Sequence, residues 1–115
     1  MRPSVSFDRF AIHFVEFPFS DKPLQKGRPA LVLSDAAFSQ ATGNVIVAMI
    51  TSARHSDWPG DCSIDDLGAA GLIHQSIVRL RFATIANPRL GRLQGHLARD
   101  DRARVADAMR AALAL

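Results

Sequence analysis

Three short stretches of the sequence hold residues able to do chemistry. The first is Gly27-Arg28-Pro29-Ala30-Leu31-Val32-Leu33-Ser34. An arginine at the mouth of a strand, just after a polar loop, can aim its guanidinium into a cleft. The plain alternative is a surface arginine paired with Asp21 or Asp35. The second is Ile50-Thr51-Ser52, two hydroxyls closing an apolar run. Strand-end hydroxyls also commonly bond nearby backbone. The third is Ser76-Ile77-Val78-Arg79-Leu80-Arg81, where Arg79 and Arg81 are expected to share one strand face as a doubly basic ridge. A guanidinium presents a planar fork of donors suited to phosphate or carboxylate.

Other chemistry is missing from the chain. It has no glycine-rich phosphate loop, no His-x-x-x-His pair and no nucleophile elbow. His13, His55, His74 and His96 are scattered without metal spacing. His13 lies in an apolar run and reads as a satisfied core group. Trp58, the single tryptophan, sits in a polar loop beside Pro59-Gly60. It is either a stacking surface for an unpaired base or a ring folded back over the end of the sheet.

The elements that must position these groups read mostly as strands. Residues 10–17 are aromatic and β-branched and predict a mostly buried strand. Pro18 and Pro23 break it, and 20–27 is loop by composition. Arg28-Pro29 opens a strand over 30–34, since proline is tolerated at a strand's first residue. Asp35 to Ala41 fits one helical turn capped by Ser34 or Asp35. Residues 44–51 form a near-continuous apolar strand, 52–60 a second polar loop, 62–64 a short strand and 65–70 a turn. Residues 76–81 alternate apolar and basic, and 82–86 either continue that strand or pair back on it. Leu90 to Leu93 is a further short strand. The end is helical, with Asp100 and Asp101 in the first turn, where negative charge is favoured. Val105, Met109 and Leu113 form one apolar stripe. Short strands broken by turns and closed by one helix predict a mainly β (α+β) fold: a small antiparallel barrel or curled sheet with a helix packed on it.

Composition narrows the class. A chain of 115 residues is one domain's length, and 48% apolar with 22% charged residues argues against disorder. A lone Cys62 excludes an internal disulfide and a multi-cysteine zinc site. No apolar run approaches a membrane span, and Met1-Arg2-Pro3-Ser4 lacks the apolar core of a signal peptide. A cytoplasmic protein is expected. The net charge of +3 is uneven: residues 79–115 carry eight arginines against three aspartates, while the rest of the chain is slightly acidic. Such an excess suits either a solvated face or a partner rich in phosphates.

The sequence resembles the PemK/MazF family of toxins. The likeness rests on Phe17-Pro18-Phe19-Ser20-Asp21, Arg28-Pro29-Ala30-Leu31-Val32-Leu33-Ser34 and Ala48-Met49-Ile50-Thr51-Ser52. It continues through Gly71-Leu72-Ile73, Ser76-Ile77-Val78-Arg79-Leu80 and Leu90-Gly91-Arg92-Leu93, in the family's order and spacing. It implies a nine-residue N-terminal extension (1–9) followed by a single toxin domain (10–115) with an SH3-like antiparallel β-barrel of the CcdB/MazF type and a C-terminal α-helix. It further implies a homodimer, a cognate antitoxin, and sequence-specific cleavage of single-stranded messenger RNA without metal or cofactor, through attack of a ribose 2′-hydroxyl on the adjacent phosphorus. The relative CcdB shares the fold but poisons gyrase, and a non-catalytic RNA- or protein-binding member is a further alternative.

By the same resemblance, Arg28 is the phosphate-stabilising residue and Thr51 a donor to a non-bridging oxygen. Ser52, Arg79, Arg81 and Trp58 are further candidates for catalysis or RNA contact. Where the family often has Gly-Asp before the first strand, this chain has Phe10-Ala11. Where many members carry aspartate two residues after the Arg79 position, it has Arg81, and its first loop lacks glutamate. The general base therefore stays open among Asp21, His55 and Asp57. Arg102, Arg104 and Arg110 read as a solvated helix face.

Overall fold

The computed structural model describes residues 8–15, 27–55 and 58–115. Six strands, β1 (Ala11–Val15), β2 (Arg28–Val32), β3 (Asn44–Ser52), β4 (Cys62–Ser63), β5 (Ser76–Ala86) and β6 (Leu90–His96), form one sheet in the order β4-β5-β3-β2-β1-β6. Every strand pairing among the described residues is antiparallel. Among the described residues three α-helices accompany it: α1 (Ala36–Thr42), α2 (Leu67–Ala70) and α3 (Arg99–Leu113). This is the expected mainly β, barrel-like architecture with a C-terminal helix. The hydrogen bonding stays open between the edge strands β4 and β6.

β1, β2 and β3 are apolar at nearly every position because both of their faces are covered, whereas β5 and β6 run on into exposed polar positions. Ile12, Leu31, Ala48, Ile50 and Val78 fall in one buried cluster, which also holds Val105 of α3 and Ala70 of α2. Ala11, Val15, Ala30, Val32, Val45 and Val47 alternate with them into a second cluster, completed by Ile85 and Leu90. Successive strand residues point to opposite faces, so two cores need both phases of the alternation filled. His13 joins this interior: it is 1% exposed and its Nδ1 lies 3.0 Å from the Gly91 carbonyl, but its buried Nε2 has no partner among the described residues, so the core histidine is only half satisfied.

Local chemistry ends the helices where the sequence indicates. The Asp35 side chain accepts from the Ala37 N–H at 2.9 Å, and Gly43 at φ 72° closes α1 in the left-handed region. Residues 65–70, expected as a turn, include the four-residue α2, N-capped by Asp66, which accepts from the Ala69 N–H. Residues 82–86 continue β5 instead of pairing back. The continuation carries a bulge, because Ala48 pairs with Phe82 while Met49 pairs with Arg79. In α3, Val105 is buried and Met109 packs against the first cluster, but Leu113 is 48% exposed, so the stripe runs past the core's edge.

Candidate active site

β2 and β3 bring Arg28 and Thr51 together. Their register pairs Ala30 with Met49 and Val32 with Val47, and continuing it by two residues sets Arg28 across from Thr51. Neighbouring strands lie about 4.8 Å apart and directly opposed residues share a face. Arg28 is exposed at its strand's first position and Thr51 is half-buried near the end of its own. Neither side chain has a hydrogen-bond or ion-pair partner among the described residues. The extended register thus places a guanidinium and a hydroxyl on one face of neighbouring strand ends, both unpaired among the described residues.

β1 adds a second basic element. Val15 is the cross-strand partner of both Arg28 and Leu90, which sets the 89–92 segment beside the Arg28 strand end. A shallow depression of about 260 Å³ lies there, lined by Phe14, Val15, Gly27, Arg89 and Gly91. The Arg92 guanidinium sits over the Phe14 ring, 5.3 Å from its centroid.

Arg79 shares the face of Thr51 but is engaged. Its Nε donates to Asp61 Oδ1 at 3.1 Å and its other fork nitrogen to Oδ2 at 2.9 Å, with only 14% and 5% of the two side chains exposed. The same guanidinium lies over the Trp58 ring, 5.5 Å from its centroid. Two candidate positions of different origin, Arg79 and Trp58, therefore join one cluster with Asp61. The expected ridge with Arg81 does not follow from the register: Leu80 and Arg81 occupy the β5 bulge, which interrupts the alternation a shared face requires.

The remaining candidates separate from this face. Ser52 follows Thr51 in a regular ladder opposite Ser76, so its side chain points to the other side of the sheet. There its hydroxyl accepts from the Arg54 N–H and lines a depression of about 490 Å³ with Arg54, His74 and Gln75. His55 ends a 3₁₀ turn over Ala53–His55; its side chain, like Asp21 and Asp57, lies outside the described residues. Among the described residues, no group of three or more His, Cys, Asp or Glu is placed to hold a metal ion, and no helix is long and apolar enough to cross a membrane.

Residues 8–113 match the model of the PemK-like, MazF-like toxin of type II toxin–antitoxin systems. The chain belongs to this family. Solved structures agree on the fold. The Mycobacterium tuberculosis toxin MazF-mt6 is 27% identical, with a TM-score of 0.72 over 91% of this chain and 97% of its own. A MazE–MazF structure from Deinococcus radiodurans is 22% identical, with a TM-score of 0.73 over 94% and 96% of the two chains. An endoribonuclease in complex with its cognate antitoxin, from a mycobacterial species, is 17% identical, with a TM-score of 0.72 over 94% and 95%. No individual curated protein sequence matches the chain.

Two features of this PemK/MazF-family toxin escape a reading of the sequence. Arg89 and Arg92 reach the Arg28 strand end only because β1 is inserted between β2 and β6, a non-local order that no neighbouring residues signal. Asp61 faces Arg79 because β4 pairs Cys62 with Val78, and one further step along that register opposes the two.

Next to Asp61, burial pushes the Cys62 thiol above its ordinary value of 9.0; Arg104 opposes the rise and Asp61 adds to it. The thiol donates to the Gly60 carbonyl at 3.4 Å. The folded chain thus holds this proton more tightly than the unfolded one. That contribution is complete below the unfolded value and is lost as pH climbs through the folded one. The denaturant midpoint is therefore expected to fall above about pH 9, in a chain with no tyrosine to share that window. Cys62→Ala should flatten this alkaline slope, whatever it does to the baseline.

Proposed function

We propose that this toxin is a metal-independent endoribonuclease that cuts single-stranded RNA at the Arg28–Thr51 face. What supports the reading is the β2–β3 register, which when extended sets Arg28 across from Thr51, both unpaired among the described residues, in a chain of this family. The 2′-oxygen attacks the adjacent phosphorus, its proton passing to a general base, and the P–O5′ bond breaks as the 5′-oxygen takes a proton from Arg28 or from solvent. The products are a cyclic phosphate and a free 5′-hydroxyl. Charge builds on the non-bridging oxygens of the five-coordinate phosphorus. Arg28 stabilises that charge in a forked, charge-assisted contact, and Thr51 donates to one of the same oxygens. Asp21, His55 and Asp57 are the base candidates from the loops.

The working form is a cytoplasmic homodimer, 10–115 being the toxin domain, and a cognate antitoxin silences it. Relatives of the same fold include an endoribonuclease bound to its cognate antitoxin and a MazE–MazF complex, which supports this pairing. The deciding experiment incubates purified protein with long single-stranded RNA in EDTA. Cleavage to fragments ending in cyclic phosphate is expected. Intact RNA would leave a binding member of the fold, and a requirement for added magnesium would exclude the metal-free route.

A further inference from the structure

The Trp58-Pro59-Gly60-Asp61 segment is a built turn. The Asp61 N–H donates to the Trp58 carbonyl at 3.1 Å, Pro59 supplies the second position, and Gly60 adopts φ 91° at the third, the pattern of a type II turn. The turn sets the Trp58 ring and the Asp61 carboxylate close together at the start of β4. Asp61, almost wholly buried, grips Arg79 with both oxygens, and the gripped guanidinium lies against the indole. One ring face is thus backed by a clamped cation, while Trp58 as a residue remains 42% exposed. A buried two-point ion pair is far more construction than a loop tryptophan needs merely to cover the sheet's end.

Its position gives this construction a use. Arg79 is the cross-strand partner of Met49, on the face that carries Thr51 two residues further along β3. A single strand with one phosphate at Arg28 and Thr51 would carry a flanking base toward the indole. We propose that Trp58, held by the Asp61–Arg79 pair, is a stacking platform for an unpaired nucleobase flanking the scissile phosphate. Trp58 touches the base, and Arg79 and Asp61 are positioning residues that act through the ring. This inference rests on the ribonuclease reading for its substrate class. It gives Arg79 a task other than phosphate contact: its Nε and one terminal nitrogen already serve Asp61.

Trp58 is the only tryptophan and tyrosine is absent, so intrinsic fluorescence reports this ring alone. The full chain is titrated with a mixed-sequence single-stranded RNA pool that is 2′-O-methylated and therefore cannot be cut. A matched strand of abasic residues serves as control. Quenching is expected with the first and not with the second. Trp58→Ala should weaken binding of the labelled pool about 5- to 100-fold and raise KM for cleavable RNA more than it lowers kcat, with Trp58→Phe restoring most of the loss. Asp61→Asn should shift the emission of the free protein and raise KM. Equal binding by Trp58→Ala and wild type, or equal binding of abasic and normal strands, would overturn the platform. Quenching by a protein that cuts no RNA would keep the platform and remove the ribonuclease reading. Cleavage with unchanged KM in Trp58→Ala would do the reverse.

Discussion

Arg28→Ala is expected to lower RNA cleavage about 100- to 1000-fold, the usual cost of removing one preorganised donor from a developing oxyanion. The expectation follows from where the residue sits. Arg28 is exposed and unpaired among the described residues, so its guanidinium contributes little to folding. Exposed substitutions of this kind shift stability by only about 0.5 kcal/mol. The variant should therefore melt with the wild type while its single-turnover rate collapses, and both are measured on one preparation. Arg28→Lys is the sharper control. Lysine keeps the charge but loses the fork that spans two phosphate oxygens, so its rate should fall between the two. A thermal midpoint several degrees below the wild type would move Arg28 from chemistry to structure.

Much of this framework is legible in the sequence, for a physical reason. When both faces of a sheet are buried, its strands are apolar at almost every position, and such runs stand out against polar loops. β1, β2 and β3 are of this kind. The Asp35 cap is local chemistry two residues long and equally readable. What stays hidden is non-local. Arg79 and Arg81 look alike as alternating basic residues, yet the bulge and the β4 register give Arg79 a buried aspartate and leave Arg81 exposed. Likewise Thr51 and Ser52 look like one hydroxyl pair, but adjacent strand positions face opposite ways.

Asp100 and Asp101 make the same point with a large energetic consequence. As sequence they are two acids in a helix's first turn, each contributing about 0.3–1 kcal/mol through the helix dipole. In the fold Asp100 is exposed, whereas Asp101 is 2% exposed and accepts from the backbone N–H groups of Asp65 and Asp66 at 3.0 Å each. It also pairs with Arg104, which reaches on to Asp65. One carboxylate thereby ties the start of α2 to the first turn of α3. Asp101→Ala should cost about 2–4 kcal/mol, since it strands two backbone donors that each lose a charge-assisted bond. Asp100→Ala should cost less than about 1 kcal/mol. Arg104→Ala should also stay near or below about 1 kcal/mol, because its side chain is 42% exposed and water screens the pair. Asp101→Asn should fall between the extremes: its amide keeps one acceptor oxygen but turns a donor toward the other N–H. Urea unfolding of the four variants checks the order. A loss in Arg104→Ala as large as in Asp101→Ala would mean that the ion pair, and not the two backbone donors, holds the loop to the helix.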